Sequence, residues 1–395
     1  MHTRSLFFKH LAQTNPEPIG LVIDHAEGMY LYDDQNKKYL DLIAGISVSN
    51  IGHQHPQVVE AVKSQIDRNM HVMVYGEIIH DVTVNYAQWL CSKLSANLTS
   101  VYFVNSGSEA VDTAMKLAKR YTGKIGFVAQ HESYHGSSQG PLSLMDDAYF
   151  TSKYKPLLNG VYYINQNNFQ ELLQINPTRI AAVVIELVQS ERGALSASLD
   201  YVRNVREWCT ENNVLLVVDE IQTGLYRTGD PFAYIHYSIE PDILILGKAL
   251  GGGMPMGAVI TSEKIMSSFT KNPILGHITT FGGHPVAASA GLAANGWVFE
   301  NVDKLEINVK SELFKELLKH SKIEKVEGKG LLLACHLNKE INIVEFNQKL
   351  LSKGVFTDWF LFNMNAIRIA PPLIISTEQI HWVCDVIIKT LNAYE

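Results

Sequence analysis

Two apolar runs, each ending in ionisable residues, constrain this chain more than any other feature. Leu215-Leu216-Val217-Val218 leads into Asp219-Glu220-Ile221-Gln222-Thr223-Gly224, and Ile243-Leu244-Ile245-Leu246 leads into Gly247-Lys248-Ala249. Runs this short and uninterrupted suit strands buried on both faces, as in a parallel sheet covered by helices. Charged groups at the mouths of such strands need partners, because desolvating a lone charge is costly. One run delivers a carboxylate and the other an amine.

Other runs repeat the pattern. Val101–Asn105, Ile125–Ala129, Ala181–Glu186, Val214–Asp219, Asp242–Leu246 and Gly257–Thr261 read as strands alternating with helical stretches from His53 to about Trp297. That order predicts an α/β domain with a mainly parallel sheet. Gly28–Tyr32 suggests a further strand near the N-terminus. Beyond Asn301, Leu305, Val309, Leu313 and Leu317 recur at helical spacing, and Gly330-Leu331-Leu332-Leu333-Ala334-Cys335 opens a smaller α+β part. The expected division is an N-terminal segment 1–52 that joins the small domain, a large domain 53–299, and a small C-terminal domain 300–395.

Composition narrows the function. Apolar residues make 46% and charged residues 18% of 395, which fits a folded enzyme rather than a disordered chain. A net charge of −7 without a basic stripe argues against nucleic acid as a partner. Cys91, Cys209, Cys335 and Cys384 are scattered, with neither zinc nor disulfide spacing, which favours a reducing, cytoplasmic setting. No run approaches the length of a membrane span, and Leu6-Phe7-Phe8 is too short for a signal-peptide core. The nucleotide motifs fail: Leu333 replaces the third glycine after Gly328-Lys329-Gly330, and Ala249 follows Gly247-Lys248 where a P-loop needs a hydroxyl.

The strand-end lysine and acid suit pyridoxal phosphate, whose aldehyde forms a Schiff base with lysine and whose ring nitrogen pairs with a carboxylate. Val101–Val104 followed by Asn105-Ser106-Gly107-Ser108-Glu109-Ala110 reads as strand, turn and capped helix, a phosphate site or an ordinary cap. Tyr134-His135-Gly136 offers an aromatic for stacking or for the core. Asp219 could instead cap a helix or, with Glu220, hold a cation. Lys248 as a solvated lysine is disfavoured by the apolar run before it and by Gly251-Gly252-Gly253 after it. No metal site is expected. His53, His55, His277 and His284 sit in Gly/Pro loops without ligand spacing.

Together these motifs, with Gly52-His53-Gln54-His55-Pro56, Thr279-Thr280-Phe281-Gly282-Gly283 and Ile367-Arg368-Ile369-Ala370-Pro371-Pro372, resemble the class III pyridoxal-phosphate aminotransferases, the acetylornithine, ornithine and 4-aminobutyrate group. The resemblance covers nearly the whole chain. It implies fold type I, a homodimer, and a ping-pong transfer of an amino group from an amino acid or terminal amine to a 2-oxo acid such as 2-oxoglutarate. An aminomutase or decarboxylase is the alternative on the same fold. It further implies that Lys248 carries the cofactor, Asp219 meets the ring nitrogen, Gln222 the ring hydroxyl, and Tyr134 one ring face. Gly107 and Ser108 would take the phosphate, and Thr280 the phosphate of the partner subunit. On the substrate side it points to Glu191, Arg368 and Thr279. Three residues depart from the pattern. Ser137 stands where relatives have a carboxylate-binding arginine, Leu187 follows Glu186 in place of proline, and Arg192 follows Glu191 in place of a small residue. Arg192 either replaces the missing charge or lies at the surface.

Overall fold

The computed structural model describes residues 3–74 and 76–394. At its centre is a seven-stranded sheet made of β1 (Ser100–Val104), β2 (Gly126–Gln130), β3 (Val161–Ile164), β4 (Ile180–Glu186), β5 (Leu215–Asp219), β6 (Ile243–Leu246) and β7 (Gly257–Thr261). The spatial order is β1-β7-β6-β5-β4-β2-β3. Strand β7 runs antiparallel to both of its neighbours, and the rest of the sheet is parallel. Every residue of β4, β5 and β6 is buried. Along β5, Leu216 and Val218 enter one apolar cluster while Leu215 and Val217 enter another, so both faces are covered.

The six expected strands form, with ends within one residue of those expected and Gly257–Thr261 unchanged. Strand β3 was not expected. Only Ile164 of its four residues is buried, as suits an edge strand, and it lacks the continuous burial of the centre.

The C-terminal part carries an antiparallel sheet of β8 (Ile323–Lys329), β9 (Leu332–Leu337), β10 (Trp359–Phe360) and β11 (Asn363–Ile369), in the order β8-β9-β11-β10. The expected strand near Tyr30 is part of a meander, Ile23–Glu27, Tyr30–Asp33 and Lys38–Asp41, whose last strand pairs in parallel with Val355–Phe356. Met29, Leu40, Leu42 and Ile51 share one apolar cluster with Leu333, Phe346, Ile367 and Ile387.

The helical stripe expected from Leu305 onward is kept in part: Leu305 is in the core and Leu313 and Leu317 pack against it, but Val309 does not. Leu305 closes the helix Pro285–Leu305, Glu306 adopts a left-handed conformation at φ 46°, and a new helix, Ile307–Leu317, begins. That break rotates the face: Ile307, Ser311 and Phe314 point inward, and Val309 is 65% exposed. No helix among the described residues is long and apolar enough to cross a membrane.

Candidate active site

Sheet register assembles the site. Asp219 at the end of β5 lies opposite Glu186 of β4 and Ile245 of β6. Three residues past Ile245, the chain reaches Lys248. Its φ of +47° is a strained value for a residue with a side chain, of the kind held in place where function demands it. The half-buried Lys248 Nζ donates to Gln222 Oε1 at 3.0 Å. Burial pulls its pKa below that of a free lysine. The nearby Glu191 and Asp219 charges partly offset this, and Arg368 adds to it.

Asp219 is buried and doubly held. Its Oδ1 accepts the Ile221 N–H at 2.9 Å, and its Oδ2 pairs with His135 Nδ1 at 2.7 Å. Burial alone would lower the His135 pKa. The hydrogen bond and charge of Asp219, joined by the charge of Glu186, outweigh burial and raise it. Glu186 accepts backbone N–H groups from Tyr134 and Ser190 at 3.0 and 3.2 Å. Burial still pushes its pKa up to about 7, with His135 opposing and Asp219 reinforcing the shift. Glu220 turns elsewhere, accepting the Ala233 and Tyr234 amides at 2.7 and 2.8 Å, so Asp219 and Glu220 do not converge on one point.

The helix Gly107–Thr122 opens at the same cavity. Ser106 Oγ accepts the Glu109 N–H at 3.1 Å, as its spacing suggested. Glu109 reaches back one residue further than a capping box requires, to the Asn105 N–H at 2.8 Å. The first amides of such a helix lack intrahelical acceptors and favour an anion. Neighbouring side chains crowd two glycines here. A Cβ on Gly107 would stand 2.7 Å from Ile221 Cδ1, and one on Gly136, at φ +127°, would stand 2.3 Å from Ser108 Oγ.

Gly107, Ser108, Tyr134, His135, Glu186, Glu191, Asp219, Gln222 and Lys248 thus line one cavity of about 470 Å³. Gln222 Nε2 is buried there with no protein partner, a donor suited to a ligand oxygen. An amine, a carboxylate, an unsatisfied amide and a helix N-terminus converge, and a phosphorylated pyridine aldehyde fits that donor set.

Arg368 is reached through Glu191. Its Nη1 and Nη2 donate to Glu191 Oε1 and Oε2, both at 3.0 Å, its Nε to Asp358 Oδ1 at 2.8 Å, and Nη2 also to the Trp359 carbonyl at 3.2 Å. Burial works against both charges. The pairing prevails, holding Glu191 below the usual carboxylate range and Arg368 above the usual arginine value. Ser137 is exposed and meets the Tyr134 hydroxyl at 3.0 Å. Arg192 lies outside the cavity lining, paired with Glu132 at 2.7 Å and Gln189 at 3.3 Å.

Thr279 and Thr280 are not among the residues lining this cavity. Thr279 Oγ1 accepts from Asn105 Nδ2 at 2.8 Å and lines a separate cavity of about 240 Å³, and Thr280 is exposed. Sequence reasoning missed His135 as the partner of Asp219 and Asp358 as the partner of Arg368. His135 had a signal in its place beside Tyr134 and Gly136; Asp358 had none.

Residues 11–391 match the model of the class-III aminotransferases. The chain belongs to that family, enzymes of fold type I that use pyridoxal phosphate. Among its relatives is the acetylornithine aminotransferase of Aquifex aeolicus, 36% identical over 370 residues, 90% of this chain and 92% of that one. The acetylornithine aminotransferase of Methanocaldococcus jannaschii is 36% identical over 388 residues, covering 94% and 92%. The solved ornithine aminotransferase of Toxoplasma gondii superposes with a TM-score of 0.90 at 27% identity, over 98% of this chain and 93% of that one. The adenosylmethionine-8-amino-7-oxononanoate aminotransferase of M. jannaschii gives 0.92 at 26%, over 99% and 98%.

Proposed function

We propose that this aminotransferase takes the amino group of an amino acid or terminal amine of the ornithine, acetylornithine or 4-aminobutyrate type and passes it to 2-oxoglutarate in two half-reactions. The observation that carries this reading is the buried Glu191–Arg368 pair, whose glutamate lines the cavity of Lys248. Arginine grips a carboxylate through two parallel hydrogen bonds, and Glu191 now occupies that end of Arg368. With Glu191 in place the site suits an amine tail; with Glu191 turned aside it suits a second carboxylate. The acetylornithine aminotransferases at about this identity support the donor class.

Pyridoxal phosphate, when bound, supplies the aldehyde that takes the amine and a ring that withdraws electrons. Lys248 would hold it covalently, with Gly107 and Ser108 at its phosphate, Gln222 at its ring oxygen and Tyr134 over its face. Burial favours a neutral Lys248 amine, which is the form able to attack a carbonyl and to accept a proton. Asp219 offers a carboxylate to the ring nitrogen, and His135 fixes that carboxylate from behind.

The same reading makes the enzyme a homodimer, with Thr280 serving the partner's phosphate. Supporting this, Met70, Met73, Ile78, Ile79, Val84, Ile274, Leu275, Ile278 and Phe281 are large and exposed. Their two segments adjoin, with the His71 and Phe281 rings tilted against each other at 4.9 Å and Thr83 bonded to the Gly283 carbonyl at 2.9 Å. Contiguous apolar surface of this kind marks an interface. We also retain the division into 1–52 with 300–395 against 53–299, since the two chain ends share a core.

The test is a donor screen with ornithine, acetylornithine, 4-aminobutyrate, lysine and simple amines, each run with and without 2-oxoglutarate. Sustained turnover of at least one terminal amine, only when the oxo acid is supplied, is expected. Turnover without an acceptor, or no use of terminal amines, overturns the proposal.

A further inference from the structure

Besides its bond to the Trp359 carbonyl, Arg368 is held on three sides, and only Glu191 among these takes part in the switch described above. Glu191 sits at the end of the guanidinium, where Nη1 and Nη2 point. Phe360 lies against its face, with the ring centroid 4.4 Å from Cζ. Asp358 takes the side edge, accepting from Nε at 2.8 Å, and its backbone carbonyl also accepts the Arg368 N–H at 2.9 Å. Thr357 Oγ1 donates to the Arg368 carbonyl at 2.6 Å, so the Thr357–Asp358 segment is bound to Arg368 through both main chain and side chain.

The geometry separates two roles. A carboxylate at the end edge competes with any incoming carboxylate for the same two N–H donors. A carboxylate at the side edge does not, because Nε–H points elsewhere on the rigid fork. When Glu191 turns away, an arginine held by nothing else would follow it, or would stand buried without a counter-ion, which is strongly unfavourable. Asp358 removes both outcomes, since its side chain is 24% exposed while those of Arg368 and Glu191 are 3% and 8% exposed.

We propose that Asp358 is a positioning residue for the acceptor: it anchors the Arg368 guanidinium so that the end edge stays in place, and open, when Glu191 leaves. This rests on the reading of Arg368 as the acceptor-carboxylate residue. Asp358 touches neither reacting atoms nor substrate and acts only through Arg368.

The experiment compares holoenzyme variants Asp358→Ala, Asp358→Asn and Arg368→Ala, and the double variant of Asp358→Ala with Arg368→Ala. KM and kcat are measured for 2-oxoglutarate and for a monoamine donor, and binding of glutarate, an inert dicarboxylate, is measured by calorimetry. Asp358→Ala should raise the KM for 2-oxoglutarate and the Kd for glutarate about tenfold, the lower end for a hydrogen bond to a charged group, with a much smaller change for the monoamine. Asp358→Asn keeps an oxygen for Nε but no charge, and should recover part of the loss. In the Arg368→Ala background, Asp358→Ala should add nothing. Equal losses on donor and acceptor sides, an unchanged glutarate Kd, or a full additional loss in the double variant overturns the role of Asp358. If Arg368→Ala itself leaves glutarate binding unchanged, the underlying reading of Arg368 fails instead, and the two failures are told apart by that single variant.

Discussion

Replacing Glu191 by alanine should turn the enzyme toward dicarboxylates, and the structure sets the scale. Glu191 makes two charge-assisted bonds of 3.0 Å to Arg368 and accepts a third from the Leu361 N–H at 3.1 Å. A dicarboxylate must displace all three to reach the arginine. Bonds to charged groups contribute about 1.5–3 kcal/mol each, but the incoming carboxylate restores the two at Arg368, so only the remainder counts. Losing the Leu361 bond and reorienting a buried carboxylate therefore costs about 1.5–3 kcal/mol of dicarboxylate affinity in the parent enzyme. Without Glu191 that cost disappears, and kcat/KM for 2-oxoglutarate and L-glutamate should rise about 10- to 200-fold relative to a monoamine donor. Arg368 keeps Asp358 as its counter-ion in the variant, so the fold should tolerate the change. Rapid-mixing kinetics of the separate half-reactions, with L-glutamate against a monoamine, gives the ratio directly. A ratio unchanged from the parent, or one moved toward the monoamine, refutes the masking argument. Arg368→Ala should move the ratio the other way, weakening 2-oxoglutarate use roughly 10- to 200-fold.

Lys248→Ala should abolish the borohydride-trappable link to the cofactor and nearly all turnover; labelling equal to the parent would reject the assignment. Asp219→Asn should keep the cofactor but slow proton abstraction severely, and a half-reaction at the parental rate would count against Asp219 as the ring partner. Ile79→Asp, on the most exposed apolar side chain of the candidate interface at 87%, should shift the sedimentation profile toward monomer and cut activity with it. The His277 pKa is lowered to about 4, chiefly by burial and then by Lys116, whose Nζ lies 2.7 Å from Nδ1. Its folded value lies below the unfolded one, so the unfolded chain takes the proton first. This contribution to stability is whole above about pH 6.5, the ordinary histidine value, and drains away as pH falls toward about 4. His277→Gln should flatten the fall of the apparent melting temperature across that window, and an identical slope in parent and variant would exclude His277 as its source.

Local signals in the chain were strong where burial is two-sided or a turn has its own chemistry. The runs ending at Asp219 and Leu246 are apolar at every position, and the Ser106 cap is a four-residue pattern, so both were legible without contacts. Pairings across space were not. His135 and Asp219 are 84 residues apart and meet only because β2, β4 and β5 lie side by side in one parallel sheet. Asp358 and Arg368 are close in sequence, but a polar residue ten positions away carries no signal until two short strands fold back. The stripe across Glu306 failed at Val309 because one left-handed residue resets the rotation, and hydrophobic spacing passes over such a break unaltered.

The shared core of the two chain ends also sets a timetable for synthesis. Leu40 pairs with Val355, and Lys37 bonds to the carbonyl of Ser352, 315 positions further on. At typical translation speeds of about 5–20 residues per second, the N-terminal meander waits roughly 15–60 s for the strand that completes its sheet. Over that interval Met29, Leu40 and Leu42 have no core to enter, although the central sheet between them and their partners can already close. The nascent enzyme is therefore exposed to chaperones and proteases at this meander, and synthesis of its late small-domain partners, rather than growth of the large sheet, ends that exposure.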